Sequence, residues 1–393
     1  MNQETIQFII DNKDKDVHQL ALHSSRNPLV NMSLAIRQIN GLQKVKNKIP
    51  CFYNNLNILY PAQLSLEQSS SETTAIYKST LCKGTKLTDL TGGFGVDCFF
   101  MSANFEQVLY IERQEELCLL AKHNFTVLGA QHIEVKNAIT EDYVNEMPCV
   151  DWIYIDPARR SSSGKKVVLL SDCEPNVAIM VNLLLQKSKN VMIKLSPMMD
   201  ISAALTELTQ TTEIHIVAVD NECKEIIFIL NQDNSKKIIV KTVNFGKSNH
   251  IQHFDFEMNN EINSSSVLTS KIEKYLYEPN AAVMKSGAFK LIGNEFNMRK
   301  LHINTHLYTS SELLLHFPGR IFEVQKVWEN GKSEIKKNCT RLSKANLTTR
   351  NYPINVDELR KKFKISDGGN VYLFACTLSN EEKVIIECEK VAL

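Results

Sequence analysis

No run of 18 apolar residues occurs in the sequence, which excludes a helix that spans a membrane. The opening Met1-Asn2-Gln3-Glu4-Thr5 lacks the basic start and apolar block of an export signal, so a cytoplasmic protein is expected. An excess of one charge is missing too. There are 45 lysines and arginines against 44 acids, a net +1, so the chain as a whole is no obvious binder of polyanions. None of the ten cysteines forms a C-x-x-C pair, which removes zinc knuckles and dithiol redox motifs and leaves no metal site to expect. Most cysteines lie in apolar stretches, as Cys98 does before Phe99-Phe100, and read as small buried hydrophobes in a reducing compartment. No internal repeat is visible. With 393 residues, the chain can build two or three domains with substantial cores.

What is present is concentrated in Lys86-Leu87-Thr88-Asp89-Leu90-Thr91-Gly92-Gly93-Phe94-Gly95-Val96-Asp97. A short apolar run ends in an acid and meets three glycines in four positions, which reads as strand, tight turn and helix start. Glycine suits a turn that needs φ > 0 and lets a ligand approach bare backbone. The amides of the helix start then favour the ligand's negative end. A second strand, Gln107 to Ile111, ends in Glu112, about 20 residues after Gly93, the interval of a β-α-β unit whose carboxylate takes a ribose. Gln131 to Val135 reads as a third strand before Asn137 and Ala138. Val150 to Ile155 reads as a fourth, before Asp156-Pro157-Ala158-Arg159-Arg160. Strands alternating with helical segments imply a mainly parallel sheet covered by helices.

Around this unit, residues 1–50 read as helices, with apolar residues at helical spacing in Val17-Leu20-Ala21 and in Leu34-Ile36-Ile39-Leu42. Ser69 with Glu72 fits a capping box for the helix that precedes the first strand. Asn190 to Leu195 reads as a fifth strand, Ile214 to Leu230 as a hairpin, and Lys236 to Phe245 offers a further strand. A polar interval, 259–266, separates a different texture of short strands and helices, a small α+β module. Residues 299–364 hold 14 lysines and arginines against 6 acids, an asymmetry that points to a nucleic-acid surface.

A dinucleotide and S-adenosylmethionine both fit a site of this kind. The dinucleotide fingerprint G-x-G-x-x-G is incomplete here, and an acid at position 89 suits an ammonium better than a pyrophosphate. Residues 65–230 resemble a class I S-adenosylmethionine-dependent methyltransferase, on these four strand-end motifs in order. The resemblance implies that Asp89, Thr91, Gly92, Gly93 and Gly95 surround the methionine end of the cofactor S-adenosyl-L-methionine. It implies further that Glu112 holds the ribose, that Asn137 and Ala138 lie near the adenine, and that Gln68 closes over the site.

The catalytic candidates are Asp156, Pro157 and Arg159. They occupy the position where amino-group methyltransferases of nucleic acids carry an acid or amide, then Pro-Pro and an aromatic. Arg159 replaces the aromatic; a guanidinium can stack on a base or bind a phosphate. The segment is also similar to that of the RNA 5-methyluridine enzymes, which need a cysteine after the fifth strand. Leu195-Ser196-Pro197-Met198 provides none, so a nitrogen or hydroxyl acceptor is expected rather than a pyrimidine C5. Lys194 and Asp200 flank that segment, and Asp200 reads equally as a helix cap. Arg160 opens a basic loop, through Lys166, that suits a polyanion.

The whole chain resembles a bacterial family with an N-terminal helical part, a methyltransferase, a small ferredoxin-like segment and a THUMP-like domain. The match is carried by Ser65-Leu66-Glu67-Gln68, Asp89 to Asp97, Asp156 to Arg160, Tyr277-Glu278-Pro279-Asn280, Phe317-Pro318-Gly319-Arg320, Arg350-Asn351-Tyr352-Pro353 and Asp367-Gly368-Gly369. It implies an α/β fold, a seven-stranded, mostly parallel Rossmann-like sheet with an N-terminal helical part and a C-terminal α+β module. The implied divisions are 1–63 helical, 64–260 methyltransferase, 261–319 linker and ferredoxin-like segment, and 320–393 THUMP-like. The implied partner is RNA, a tRNA or an rRNA, with Arg160, Lys194, Arg320 and Arg350 contacting substrate. Action on a protein or small molecule, or a non-catalytic cofactor-binding scaffold, are the alternative readings.

Overall fold

The structure, a computed structural model, describes residues 1–22, 28–61, 63–159, 169–232, 237–247, 250–328, 338 and 341–392. It divides into two compact units, Met1–Thr212 with Ile227–Ser235, and Glu213–Ile226 with Lys236–Leu393. The strands of the larger sheet are β1 (Lys86–Asp89), β2 (Gln107–Glu112), β3 (Ile133–Asn137), β4 (Val150–Ile155), β7 (Ser188–Leu195), β8 (Thr211–Val219), β9 (Glu222–Asn231), β10 (Ile239–Phe245) and β11 (Ile251–Glu257). A two-stranded ribbon, β5 (Ala158–Arg159) and β6 (Cys173–Glu174), follows β4.

The larger sheet has nine strands in the order β11-β10-β8-β9-β7-β4-β1-β2-β3, not the expected seven. The two additions are β10, parallel to β8, and β11, antiparallel to β10. Of these, β11 is hard to read from sequence because, as an edge strand, it fully buries only Phe254 and shows water His253 and Asp255 on either side of it. From β1 the chain runs outward to β2 and β3 and then returns to β4 on the other side of β1. That reversal opens a crevice at the carboxyl ends of β1 and β4, the place where an open α/β sheet takes its ligand.

Helices Gln3–Asn12, Met32–Val45, Pro50–Tyr53 and Glu72–Thr80 contribute to one apolar cluster that also holds Phe94 and Val96. Phe94 meets the Phe52 ring edge-on at 5.4 Å, so the N-terminal helices brace the glycine turn from behind. The cap of helix Glu72–Thr80 is Ser71, whose Oγ accepts the Thr74 N–H at 3.3 Å, and not Ser69. Glu72 instead accepts the Cys51 N–H at 2.7 Å, and the Ser69 hydroxyl donates to Leu66 O. All nine described cysteines are free thiols. No described helix is long and apolar enough to cross a membrane.

The second unit contains a seven-stranded sheet. Its strands are β12 (Tyr275–Pro279), β13 (Arg299–Lys300), β14 (Tyr308–Ser310), β15 (Gly319–Trp328), β16 (Asn346–Arg350), β17 (Val371–Thr377) and β18 (Lys383–Lys390), in the order β13-β14-β12-β15-β18-β17-β16. Helix Val356–Phe363, capped by Asn355, buries Leu359 and Phe363 in a cluster with Trp328, Leu373 and Ile385.

Candidate active site

The glycine turn is shaped by what lies under it. A Cβ on Gly92 would sit 2.1 Å from the Tyr110 ring, so no larger residue fits. Gly95 takes φ +83 as it caps helix Val96–Ser102, a conformation that costs a side-chain-bearing residue free energy. The Tyr110 hydroxyl donates to Gly93 O at 2.6 Å, pinning the loop to β2. At the end of β2, the Glu112 carboxylate accepts the N–H of Gly93 at 3.0 Å and of Gln114 at 2.8 Å. Thr91 Oγ1 accepts the Asp156 N–H at 2.6 Å, tying the turn to the segment after β4.

These parts line an open cleft whose empty space, solvent at its mouth included, is ≈ 1010 Å³. Gln68, Asp89, Thr91, Gly92, Gly93, Gly95, Glu112 and Asp156 all line it. Pro157 is buried beneath and does not. Asn137 and Ala138 also stand outside the lining. The Asn137 side chain donates to Glu112 O at 2.8 Å and so holds the end of β2 from behind. Leu117, Thr140 and Glu141 line the cleft in that quarter, and the Thr140 hydroxyl donates to Leu90 O. Arg160, and with it the basic loop, lies outside the described residues, as does the Arg159 side chain.

Acids dominate the walls. Asp89 is 1% exposed and accepts the Thr91 N–H at 2.9 Å. Burial, and the nearby Asp97, Asp156 and Glu112, push its carboxyl well above the usual range against that hydrogen bond. Such a site gains most from a cationic guest.

Behind Asp156 lies a network that sequence reasoning missed. Asp97 Oδ2 accepts from the Tyr154 hydroxyl at 2.7 Å and the Ser70 hydroxyl at 2.7 Å. The Lys78 ammonium, fully buried, stands 3.2 Å from Asp97 Oδ1 and 3.2 Å from Ser70 Oγ. Lys194, near the end of β7, bridges Asp97 at 3.7 Å and Asp156 at 2.5 Å. Burial would raise the Asp97 carboxyl, but Lys78, Lys194 and the two hydroxyls outweigh it and hold it below its ordinary value. Burial raises Asp156, with Lys194 opposing. The available signal was a lysine, Lys78, two residues from the end of helix Glu72–Thr80 and buried. Lys194 touches Asp156 without lining the cleft, and Asp200 caps helix Ile201–Glu207.

In the second unit, Arg320 and Arg350 both reach the buried Glu278. Arg320 Nε donates to Oε2 at 2.7 Å and Arg350 Nη2 to Oε1 at 2.8 Å. Glu278 and Arg320 sit directly opposite on β12 and β15. Two of the expected substrate contacts are thereby engaged inside the protein. Among the described residues no group of three or more His, Cys, Asp and Glu side chains is placed to hold a metal ion.

Comparison with known proteins bears on both units. Residues 275–318 match the model of a ferredoxin-like domain and residues 319–390 that of a THUMP domain-like family. The crystal structure of a candidate methyltransferase from Porphyromonas gingivalis W83 matches with 31% identity and a TM-score of 0.88, over 100% of each chain. An O-methyltransferase from Bacillus cereus in complex with SAH matches at 10% identity and a TM-score of 0.32, over 48% of this chain and 100% of that one. An rRNA methylase from Streptococcus thermophilus matches at 13% and 0.30, over 40% and 93%. No curated protein matches the sequence.

Proposed function

The chain belongs to the bacterial class I methyltransferase family with a ferredoxin-like segment and a C-terminal THUMP-like domain, and from that membership we propose that it methylates RNA with S-adenosylmethionine as donor. The acceptor is a nitrogen or a hydroxyl. The observation that carries this reading is the glycine turn between two buried carboxylates, Asp89 and Glu112, at the switch point of a parallel sheet. The fit is chemical: Asp89 suits an ammonium, Glu112 suits a pair of ribose hydroxyls, and Gly92 to Gly95 leave backbone bare between them. Bound there, the sulfonium supplies an activated methyl group.

The protein's own residues align the acceptor and handle its proton. Asp156 faces the cleft and can accept a hydrogen bond from the acceptor, and Thr91 keeps the Asp156 backbone in register with the turn. RNA contact falls to exposed cations such as Lys361, Lys362 and Lys364 at the end of helix Val356–Phe363, because Arg320 and Arg350 are engaged by Glu278.

Titration calorimetry with S-adenosylmethionine and its demethylated product tests the donor half. One molecule should bind per chain, and Asp89→Ala and Glu112→Ala should each weaken binding by about 10- to 100-fold, the loss of one charge-assisted contact. No heat from folded protein rejects the reading. Binding of bulk RNA that does not weaken as salt rises rejects the RNA half.

A further inference from the structure

We propose that the acceptor is a hydroxyl oxygen, in RNA the ribose 2′-hydroxyl, and that Lys194, set behind Asp156, is a positioning residue whose charge favours the negative charge that oxygen develops as its proton leaves for Asp156. This rests on the reading of the cleft as a methyltransferase site. The Lys194 ammonium stands 2.5 Å from Asp156 Oδ2, and the Asp156 side chain is about one-third open while the Lys194 side chain is 11% exposed. Asp97 and Ser70 hold the inner side of Lys194 at 3.7 and 3.3 Å, and the fully buried Lys78 backs both. A fixed ammonium beside the acceptor's seat has opposite effects on the two kinds of acceptor.

A neutral amine that takes a methyl group becomes cationic, so an ammonium alongside raises its barrier. A hydroxyl must lose a proton and develops negative charge, so the ammonium lowers its barrier. In the step, the acceptor oxygen passes its proton to the Asp156 carboxylate and forms a bond to the methyl carbon. The carbon–sulfur bond of the sulfonium breaks, its electron pair stays on sulfur, and water later removes the proton from Asp156. Atoms and charge balance with no further reactant. The raised Asp156 carboxyl is consistent with a group that must receive a proton.

The test uses the full chain, a donor labelled in the methyl group, and total RNA from cells lacking the gene, digested to nucleosides and analysed by mass spectrometry. Label in a 2′-O-methylnucleoside, in alkali-resistant linkage, is the expected result. Label on a base overturns the inference and leaves the methyltransferase reading standing. No label in RNA, with donor binding intact by calorimetry, rejects RNA as substrate and the inference with it. Lys194→Met should lower transfer by about 100-fold or more, with donor affinity unchanged. Lys194→Arg, which keeps the cation, should recover part of the rate. Equal activity in all three proteins overturns the role of Lys194.

Discussion

Two buried carboxylates, one in each unit, are each served by a pair of cations, and they end up as different devices. Glu278 is 3% exposed and is gripped by two arginines, Arg320 on the adjacent β15, through two nitrogens, and Arg350 at the end of β16. Planar forks fill a carboxylate's lone pairs, while Arg350 Nε stays buried without a hydrogen-bond partner. Asp97 is served by two lysines, Lys78 and Lys194, and by two hydroxyls. A lysine is a point charge with three donors, so Lys194 can hold Asp97 and still end on Asp156 at the cleft. The arginine site closes on itself and acts as a staple. The lysine site passes its charge on to a place where a ligand arrives.

The largest effect that tests this contrast comes from Glu278→Gln. It leaves two guanidiniums facing a neutral amide in a site with little water, and breaking a buried pair by removing one partner costs about 3–5 kcal/mol. The one-third exposure of each arginine puts the expected loss at the lower end, about 3 kcal/mol. Trp328, 1% exposed, reports the second unit by fluorescence, and Trp152→Phe removes the other tryptophan. Urea unfolding in that background reads the loss. A change below about 1 kcal/mol would mean that Glu278 is no staple and that Arg320 and Arg350 are available to a partner.

This contrast also separates what the sequence made legible from what it did not. β1, the glycine turn, β2 ending in Glu112 and β4 ending in Asp156 were readable because strand, turn and helix each leave a local signature there. Helix Val356–Phe363 and the turn around Asp220-Asn221 were readable for the same reason, since both turn residues take positive φ (50° and 63°). The network of Lys78, Ser70, Asp97, Tyr154 and Lys194 was not, because its members are up to 124 positions apart and each has an ordinary local reading. Lys78 looks like a basic residue in the last turn of a helix, Ser70 like part of a cap, and Tyr154 like one more apolar residue of β4. Arg320 and Arg350 were visible as motif residues. Their partner Glu278 was visible too, but only the pairing of β12 with β15 brings Glu278 opposite Arg320. Strand β11 escaped because polar residues at an edge look like a loop.

A middle-sized effect comes from comparing Asp89 with Asp97, whose carboxyls are shifted in opposite directions. Asp97 is depressed in the folded state, so it contributes stability above about pH 4 that is lost as pH falls through its folded value. Asp89 is raised. Between about pH 4 and its folded value the unfolded chain has released a proton that the folded protein keeps, so stability falls as pH rises through that window. Asp89→Asn removes the carboxyl and keeps an acceptor for the Thr91 N–H. It should raise stability at pH 7 by about 1–2 kcal/mol, the size of gain typical where a functional site holds an unfavourable charge. It should also weaken donor binding at least about tenfold. Scanning calorimetry over pH 4–8 beside donor titration checks both; a variant less stable than wild type at neutral pH would place Asp89 among structural acids, with Glu278.

The smallest effect returns to the second unit and asks whether everything there is as closed as Glu278. The His306 ring stacks on Phe289 at a centroid distance of 3.7 Å, and its Nδ1 is buried without a hydrogen-bond partner. Burial, then the charges of Lys300 and Arg350, lower it to about 4. From about pH 6.5 down to that value the unfolded chain binds a proton that the folded unit refuses, so stability falls as pH drops through the window. His306→Asn tolerates the positive φ of 51° at this position and has no group that titrates there. Its stability at pH 7 should drop slightly because the stack is lost, while the difference between pH 7 and pH 4.5, read from Trp328, should shrink. An unchanged difference would show that acid sensitivity in this unit comes from its carboxylates alone.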